Sequence, residues 1–95
     1  MITAIVLVTT QVDRIGDVAE AIADIAGVSE VYSVTGDTDL IAMVRVREHE
    51  QLADVIAGTL NKVPGVLSTT THIAFRAYSR HDLEAAFALG LEDGF

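Results

Sequence analysis

The sequence predicts an α+β domain with the element order βαββαβ, and three observations support this prediction. Four segments are rich in β-branched and other apolar residues, and two segments between them carry apolar residues at helical spacing. The two halves of the chain share a short motif that leads into a strand segment, Ala26-Gly27-Val28 in the first half and Pro64-Gly65-Val66 in the second. A length of 95 residues, 51% of them hydrophobic, is sufficient for one domain with a modest core.

The first half is predicted to contain a strand, a helix and a second strand. Residues 2–9 are apolar at odd and even positions alike, which is typical of a strand covered on both faces. Over residues 13–26 the apolar positions recur at helical spacing, with Asp13 as the N-cap and Gly27 as the C′ residue. The second strand is predicted over residues 28–34.

The second half repeats this order. We predict the third strand over residues 40–47, the second helix over 48–62 and a long fourth strand over 67–78. Right-handed crossovers would then give a four-stranded antiparallel sheet with two helices on one face, the ferredoxin-like arrangement. One domain therefore covers residues 1–78, and a short C-terminal helix lies in an extension over 79–95.

The third strand is apolar on both of its faces. Leu40, Ala42 and Val44 alternate with Ile41 and Met43, although two helices can cover only one face of the sheet. The other face would be an apolar patch larger than monomers usually expose. We therefore predict that two copies stack sheet against sheet in a dimeric α/β barrel-like assembly, which a monodisperse monomer in sedimentation would contradict.

Composition excludes several classes of function. The net charge is −8, with six Lys and Arg against fourteen Asp and Glu, whereas a nucleic-acid binder needs a basic surface. No apolar run approaches the roughly 18 residues of a membrane span. The chain has no cysteine, and its first residues lack the features of a secretory signal, so we expect a cytoplasmic protein.

The turn between the second and third strands is the best candidate for a binding site. Thr35-Gly36-Asp37-Thr38-Asp39 places two carboxylates and two hydroxyls around one glycine, more polar oxygen than a chain reversal needs. Asp37 and Asp39 could accept from an ammonium group, and backbone N–H groups near Gly36 could donate to a carboxylate. Thr69-Thr70-Thr71 adds hydroxyls at the start of the fourth strand. The alternatives are a solvated turn and simple β propensity.

The sequence offers little for catalysis. It contains neither a phosphate-binding glycine motif nor a nucleophile elbow. His49, His72 and His81 lack the spacing of a metal site. We therefore predict no enzymatic activity, no cofactor and no metal.

Three segments, in this order and at this spacing, carry a family resemblance. They are Val28 to Leu40, which contains the G-x-x-D turn, then Leu60 to Val66, then Thr69-Thr70-Thr71. Together they resemble the effector-binding (RAM) domain of the leucine-responsive/asparagine regulator (Lrp/AsnC) family. The resemblance implies binding of small molecules, commonly amino acids, at contacts between dimers in octameric or similar rings. The pocket residues that it implies are Gly36, Asp37, Thr38, Asp39, Thr69 and Thr71.

Two departures from the family pattern matter. Thr38 stands where members often carry an aromatic residue, which changes the expected size of the pocket. Full regulators also carry an N-terminal helix-turn-helix domain, whereas this sequence starts at the first strand. It is therefore similar to stand-alone versions, and the resemblance implies a sensor without DNA binding of its own that modulates full-length relatives through mixed assemblies.

Three other readings remain open. An ACT-like amino-acid-binding regulatory domain has the same fold, but the loop after the first strand, Thr9 to Asp13, lacks the glycine usual there. A cofactor-free dimeric ferredoxin-like monooxygenase needs a His, Asn or Trp in a cavity. The chain has no Trp, and its single Asn, Asn61, lies at a predicted helix end. The third reading is a purely structural assembly partner.

Overall fold

Residues 1–78 are described by the structure, a computed structural model, and the predicted C-terminal helix in 79–95 lies outside them. The strands are β1 (Ile2–Thr10), β2 (Val28–Ser33), β3 (Leu40–Val46) and β4 (Val66–Ile73). A 3₁₀ turn, Val12–Arg14, leads into α1 (Ile15–Ala23). Helix α2 (His49–Leu52) continues as a π-helical turn, Ala53–Ala57, and a second 3₁₀ turn, Leu60–Lys62, follows.

The four strands form one antiparallel sheet in the order β2-β3-β1-β4. Strand β1 is central, so that Val6 lies opposite Ala42 of β3 on one side and Thr71 of β4 on the other. The predicted α+β, ferredoxin-like fold is confirmed.

The core lies between the sheet and the helices. Strand side chains alternate between the two faces, so even-numbered residues of β1 and β3 share the helix-covered face. Ala4, Val6, Val8, Leu40, Ala42 and Val44 there have no exposed surface. The helical segments cover them with Val18 and Ile22 of α1, which are four residues apart, and with Leu52, Ile56 and Leu60.

The two glycine motifs form the same turn in each half of the chain. Val28 N donates to Ile25 O at 3.1 Å, and Val66 N donates to Val63 O at 3.1 Å. Gly27 and Gly65 each occupy the third position of these turns with φ of +99° and +101°, as a type II turn requires. Gly27 therefore belongs to this turn rather than to the C′ position of α1, which ends at Ala23.

Gly65 provides a test of this geometry. A Cβ on Gly65 would lie 2.7 Å from Val18 Cγ2, and the residue already has positive φ. We expect Gly65→Ala to lower the free energy of unfolding by about 1–3 kcal/mol in urea denaturation. Gly16→Ala is the matched control, since nothing lies within 4 Å of a Cβ there, and it should raise stability by up to about 1 kcal/mol. Equal effects of the two variants would contradict this account.

Two further predicted element ends are wrong. Asp13 does not cap α1, because the Arg14 N–H to Gln11 O hydrogen bond of 2.9 Å places Asp13 inside a 3₁₀ turn. Strand β4 ends at Ile73 rather than at residue 78, because its partner β1 begins at Ile2. The last bond between these strands joins Ala74 N to Thr3 O at 2.9 Å.

The other face of the sheet has no covering element among the described residues. Ile5 pairs with Met43, and Leu7 pairs with Ile41, to form an apolar centre that is only partly covered. We call this surface the open face. As the sequence predicted, the two central strands are apolar on both sides.

A polar network occupies the β2 margin of the open face. An irregularity between Val28 and Glu30 turns Glu30 and Tyr32 onto this face. Arg45 Nη1 lies 2.6 Å from Glu30 Oε1 and also donates to Ser29 Oγ, and the Tyr32 hydroxyl donates to Glu30 Oε2 at 2.9 Å. The hydrogen bond from Arg45, then the one from Tyr32, lowers the pKa of Glu30. The hydrogen bond to Glu30 raises the pKa of Tyr32.

These shifts predict a pH dependence. Because the pKa of Glu30 is lowered on folding, its contribution to stability is present above the ordinary value of 4.5 and is lost as the pH falls through the folded-state value. In Arg45→Met, an NMR titration of the Glu30 carboxyl should show its pKa moving up toward 4.5. Arg47→Met is the control and should leave Glu30 unchanged; an unchanged Glu30 in Arg45→Met would refute the assigned cause.

Candidate functional site

The turn between β2 and β3 presents its polar groups to solvent. Val34 N donates to Asp39 O at 3.1 Å, which closes the turn. Gly36 has φ of +107°, and nothing lies within 4 Å of the position that its Cβ would take. Gly36 and Asp37 are exposed, whereas Thr38 is half-buried. The backbone and the Asp37 carboxylate are therefore accessible to another molecule.

Asp39 has an internal partner. Strand β1 extends to Thr10, but β3 begins at Leu40, which lies opposite Val8. The Thr10 N–H thus has no main-chain acceptor in β3, and Asp39 Oδ2 accepts its hydrogen bond at 2.9 Å. Asp39 N also donates to Val8 O at 3.0 Å. These two hydrogen bonds of Asp39 hold the turn against the end of β1.

The threonines at the start of β4 lie on two faces. Thr69 and Thr71 pair with Val8 and Val6 and share the helix side, whereas Thr70 pairs with Leu7 on the open face. Thr69 is half-buried, and Thr71 is exposed. A cleft of about 240 Å³ at this edge is lined by Asn61 and by residues 66–69.

The structure brings the turn and the start of β4 to the same end of the sheet within one chain. Val8 lies between them, because it pairs with both Leu40 and Thr69. Two strand spacings put these residues roughly 10 Å apart. The groups that flank β1 therefore do not converge on one small contact within a single chain.

Asn61 is a candidate site residue that sequence reasoning missed. Thr69 Oγ1 donates to Asn61 Oδ1 at 2.7 Å, and both residues line the cleft. The 3₁₀ turn Leu60–Lys62 and the following glycine turn place Asn61 beside the first residues of β4. Its position just before the Pro64-Gly65-Val66 motif was the available signal.

The described part of the chain contains no cluster of three or more residues suited to a metal ion. His49 begins α2, His72 lies opposite Ile5 on the open face, and His81 lies outside residues 1–78. Among these residues, no helix has both the length and the apolar character needed to cross a bilayer.

Comparison with known proteins decides the family. The family model of the Lrp/AsnC ligand binding domain matches residues 3–83. The chain belongs to this family. The relatives of this Lrp/AsnC domain are transcriptional regulators, so the family context is regulatory rather than enzymatic, and the resemblance stated above is confirmed.

Solved structures agree with this assignment. TTHA0845 from Thermus thermophilus superimposes with a TM-score of 0.79 and 48% sequence identity, over 84% of this chain and 100% of that one. The feast or famine regulatory protein Rv3291c from M. tuberculosis, complexed with L-methionine, has a TM-score of 0.69 and 24% identity, over 84% of this chain and 54% of that one. At that identity the likeness shows the fold alone.

Curated relatives are longer proteins. The HTH-type transcriptional regulator LrpA from Pyrococcus horikoshii is 34% identical over 59 residues, which are 62% of this chain and 42% of LrpA. The Lrp/AsnC domain thus spans less than half the length of the curated relatives it matches.

Proposed function

We propose that this domain senses a small effector of the amino-acid class and forms oligomers that modulate transcription without binding DNA itself. The observation that carries the proposal is that two groups of polar residues lie at the same end of the sheet. The exposed Gly36-Asp37 turn and the Asn61–Thr69 cleft lie on either side of the end of β1. Family membership supports an effector-binding role.

The chemistry of these groups fits an amino acid. Asp37 offers a carboxylate to an ammonium group, and the exposed turn around Gly36 offers backbone N–H donors to a carboxylate. The pocket that we propose comprises Gly36, Asp37, Thr38, Asp39, Thr69 and Thr71. The complex of Rv3291c with L-methionine makes an amino acid the first class to test.

Assembly is the second part of the proposal. The partly covered pairs Ile5–Met43 and Leu7–Ile41 favour stacking of two open faces in a dimer. Since Leu40 and Thr69, the strand residues beside the two polar groups, are separated by two strand spacings of roughly 10 Å in total, we propose that a second chain completes the pocket. We propose that dimers join in an octamer or a similar ring in this way.

The third part of the proposal concerns the regulatory partners, which would bind through the same assembly contacts. A domain with a net charge of −8 is a poor ligand for DNA, so we propose that it acts in the cytoplasm through mixed assemblies with full-length Lrp/AsnC relatives. Mass spectrometry of complexes isolated from the native cell should find such a relative. Self-assemblies alone would contradict this part.

Effector binding is tested by calorimetric titration of the twenty amino acids. At least one should bind the wild type, and Asp37→Ala should weaken that binding by about 10-fold or more, the effect of losing a charged hydrogen bond. The control is Asp24→Ala, an exposed aspartate at the end of α1, at the opposite end of the sheet. Binding that is equal in Asp37→Ala and the wild type would move the site elsewhere.

A further inference from the structure

The hydrogen bond between Thr69 and Asn61 determines which atoms of this pair remain for a bound molecule. Thr69 gives its hydroxyl hydrogen to Asn61 Oδ1 at 2.7 Å. Asn61 is then left with its two Nδ2 hydrogens, and Thr69 with the lone pairs of Oγ1. The pair therefore presents a donor and an acceptor side by side, in a cleft of about 240 Å³.

The main chain of Thr69 adds to this arrangement. Ala74 N donates to Thr3 O, so the residues of β4 that bond to β1 are the even-numbered ones, which include Ser68 and Thr70. The N–H and C=O groups of Thr69 point to the outer side of β4, which is an edge of the sheet described for residues 1–78. A molecule in the cleft meets both main-chain and side-chain polar groups of one residue.

We propose that Asn61 and Thr69 together bind the zwitterionic α-group of the effector. The Asn61 Nδ2 group donates to the α-carboxylate, and Thr69 Oγ1 accepts from the α-ammonium. This inference rests on the proposed function and deepens it, since it assigns an acceptor role to the threonine hydroxyl and adds Asn61 to the site. The Gly36-Asp37 turn of another subunit then supplies further hydrogen bonds to the same α-group, since an ammonium has three hydrogens and a carboxylate has several lone pairs.

The expected consequence is discrimination by the α-group. The amino acid that binds the wild type most tightly should bind more tightly than its own α-carboxamide, because the amide replaces an oxygen acceptor with a second donor that faces Asn61 Nδ2. Asn61→Asp, which replaces that donor with a carboxylate, should weaken binding of the amino acid by about 10- to 100-fold. Binding of the carboxamide should change much less, so the preference is lost.

Thr69 provides the matched variants. Thr69→Val removes the acceptor and should weaken binding of the amino acid by about 10-fold or more, but it should have a smaller effect on the carboxylic acid that has the same side chain and no α-amino group. Thr69→Ser keeps the hydroxyl and should therefore retain the wild-type preference for the amino acid over these analogues. Thr59→Val is the control, since the exposed Thr59 hydroxyl donates to Asp54 O and does not line the cleft. Urea denaturation of each variant checks its fold.

The test is calorimetry of the wild type, Asn61→Asp and Thr69→Val. Each is titrated with the amino acids, then with the matched carboxamide and with the matched carboxylic acid that has no α-amino group. Loss of the acid-over-amide preference in Asn61→Asp supports the inference. An unchanged acid-over-amide preference in Asn61→Asp overturns the inference. If Asp37→Ala still weakens binding in that case, the proposed function stands although the role of Asn61 and Thr69 is wrong. If no amino acid binds the wild type, the proposed function fails and this inference fails with it.

Discussion

Replacing Asp39 with alanine should lower the free energy of unfolding by about 1–3 kcal/mol, the cost of leaving a buried donor without its acceptor. The donor is the Thr10 N–H, in a residue that is only 2% exposed. Asp39 Oδ2 accepts its hydrogen bond at 2.9 Å, beyond the point where β3 can supply a main-chain carbonyl. Urea denaturation monitored by circular dichroism measures the change.

Two variants separate this role from a general effect of charge. Asp39→Asn keeps a side-chain oxygen that can accept from Thr10 N–H and should lose less stability than Asp39→Ala. Asp37→Ala alters an exposed carboxylate in the same turn and should stay within about 0.5 kcal/mol of the wild type. If Asp37→Ala and Asp39→Ala are equally stable, the Asp39–Thr10 hydrogen bond contributes nothing measurable.

Asp39 also bears on how effector binding is tested. Its carboxylate already has an internal partner, so a loss of affinity in Asp39→Ala would combine displacement of the turn with any lost contact to the effector. Asp37 is the better variant for binding, because its side chain is exposed and its replacement leaves the attachment of the turn to β1 intact.

Much of the fold could be predicted from local patterns. Apolar residues at odd and even positions alike over residues 2–9 and 40–46 identified the two central strands, because this pattern is typical of a strand covered on both faces. The glycine motifs identified the entries to β2 and β4, because positive φ favours glycine. Each of these sequence patterns lies within a few residues of the strand or turn that it predicts.

The remaining features depend on contacts between distant segments. The Asp39–Thr10 hydrogen bond joins residues 29 apart in the chain, and the Arg45–Glu30 ion pair depends on an irregularity in the β2–β3 register. The end of β4 depends on where β1 begins. Asn61 was overlooked because its significance comes from the 3₁₀ turn that places it against Thr69. Apart from the position of Asn61 just before the Pro64-Gly65-Val66 motif, these contacts have no local sequence signature.

Leu7→Glu should convert the proposed dimer into a folded monomer. Leu7 lies in the centre of the open face, opposite Ile41 of β3 and Thr70 of β4. Stacking two sheets would bury an unpaired carboxylate at this position, which costs about 3–5 kcal/mol and weakens the dimer by a factor of at least about 100. In a monomer the carboxylate can reach water, since Leu7 is only partly covered. Sedimentation velocity should therefore show the mass of the wild-type assembly, a dimer or a ring of dimers, fall to the monomer mass of 10.1 kDa.

Ala23→Glu is the matched control, because it adds the same charge at an exposed position near the end of α1. It should leave the sedimenting mass unchanged, so that a loss of assembly in Leu7→Glu alone locates the contact on the open face rather than in the net charge. Effector binding in the Leu7→Glu monomer then connects assembly to sensing. If a second chain completes the pocket, affinity should fall together with assembly, although every proposed pocket residue is unchanged. A Leu7→Glu variant that still sediments as the wild type would exclude the open face as the contact between subunits.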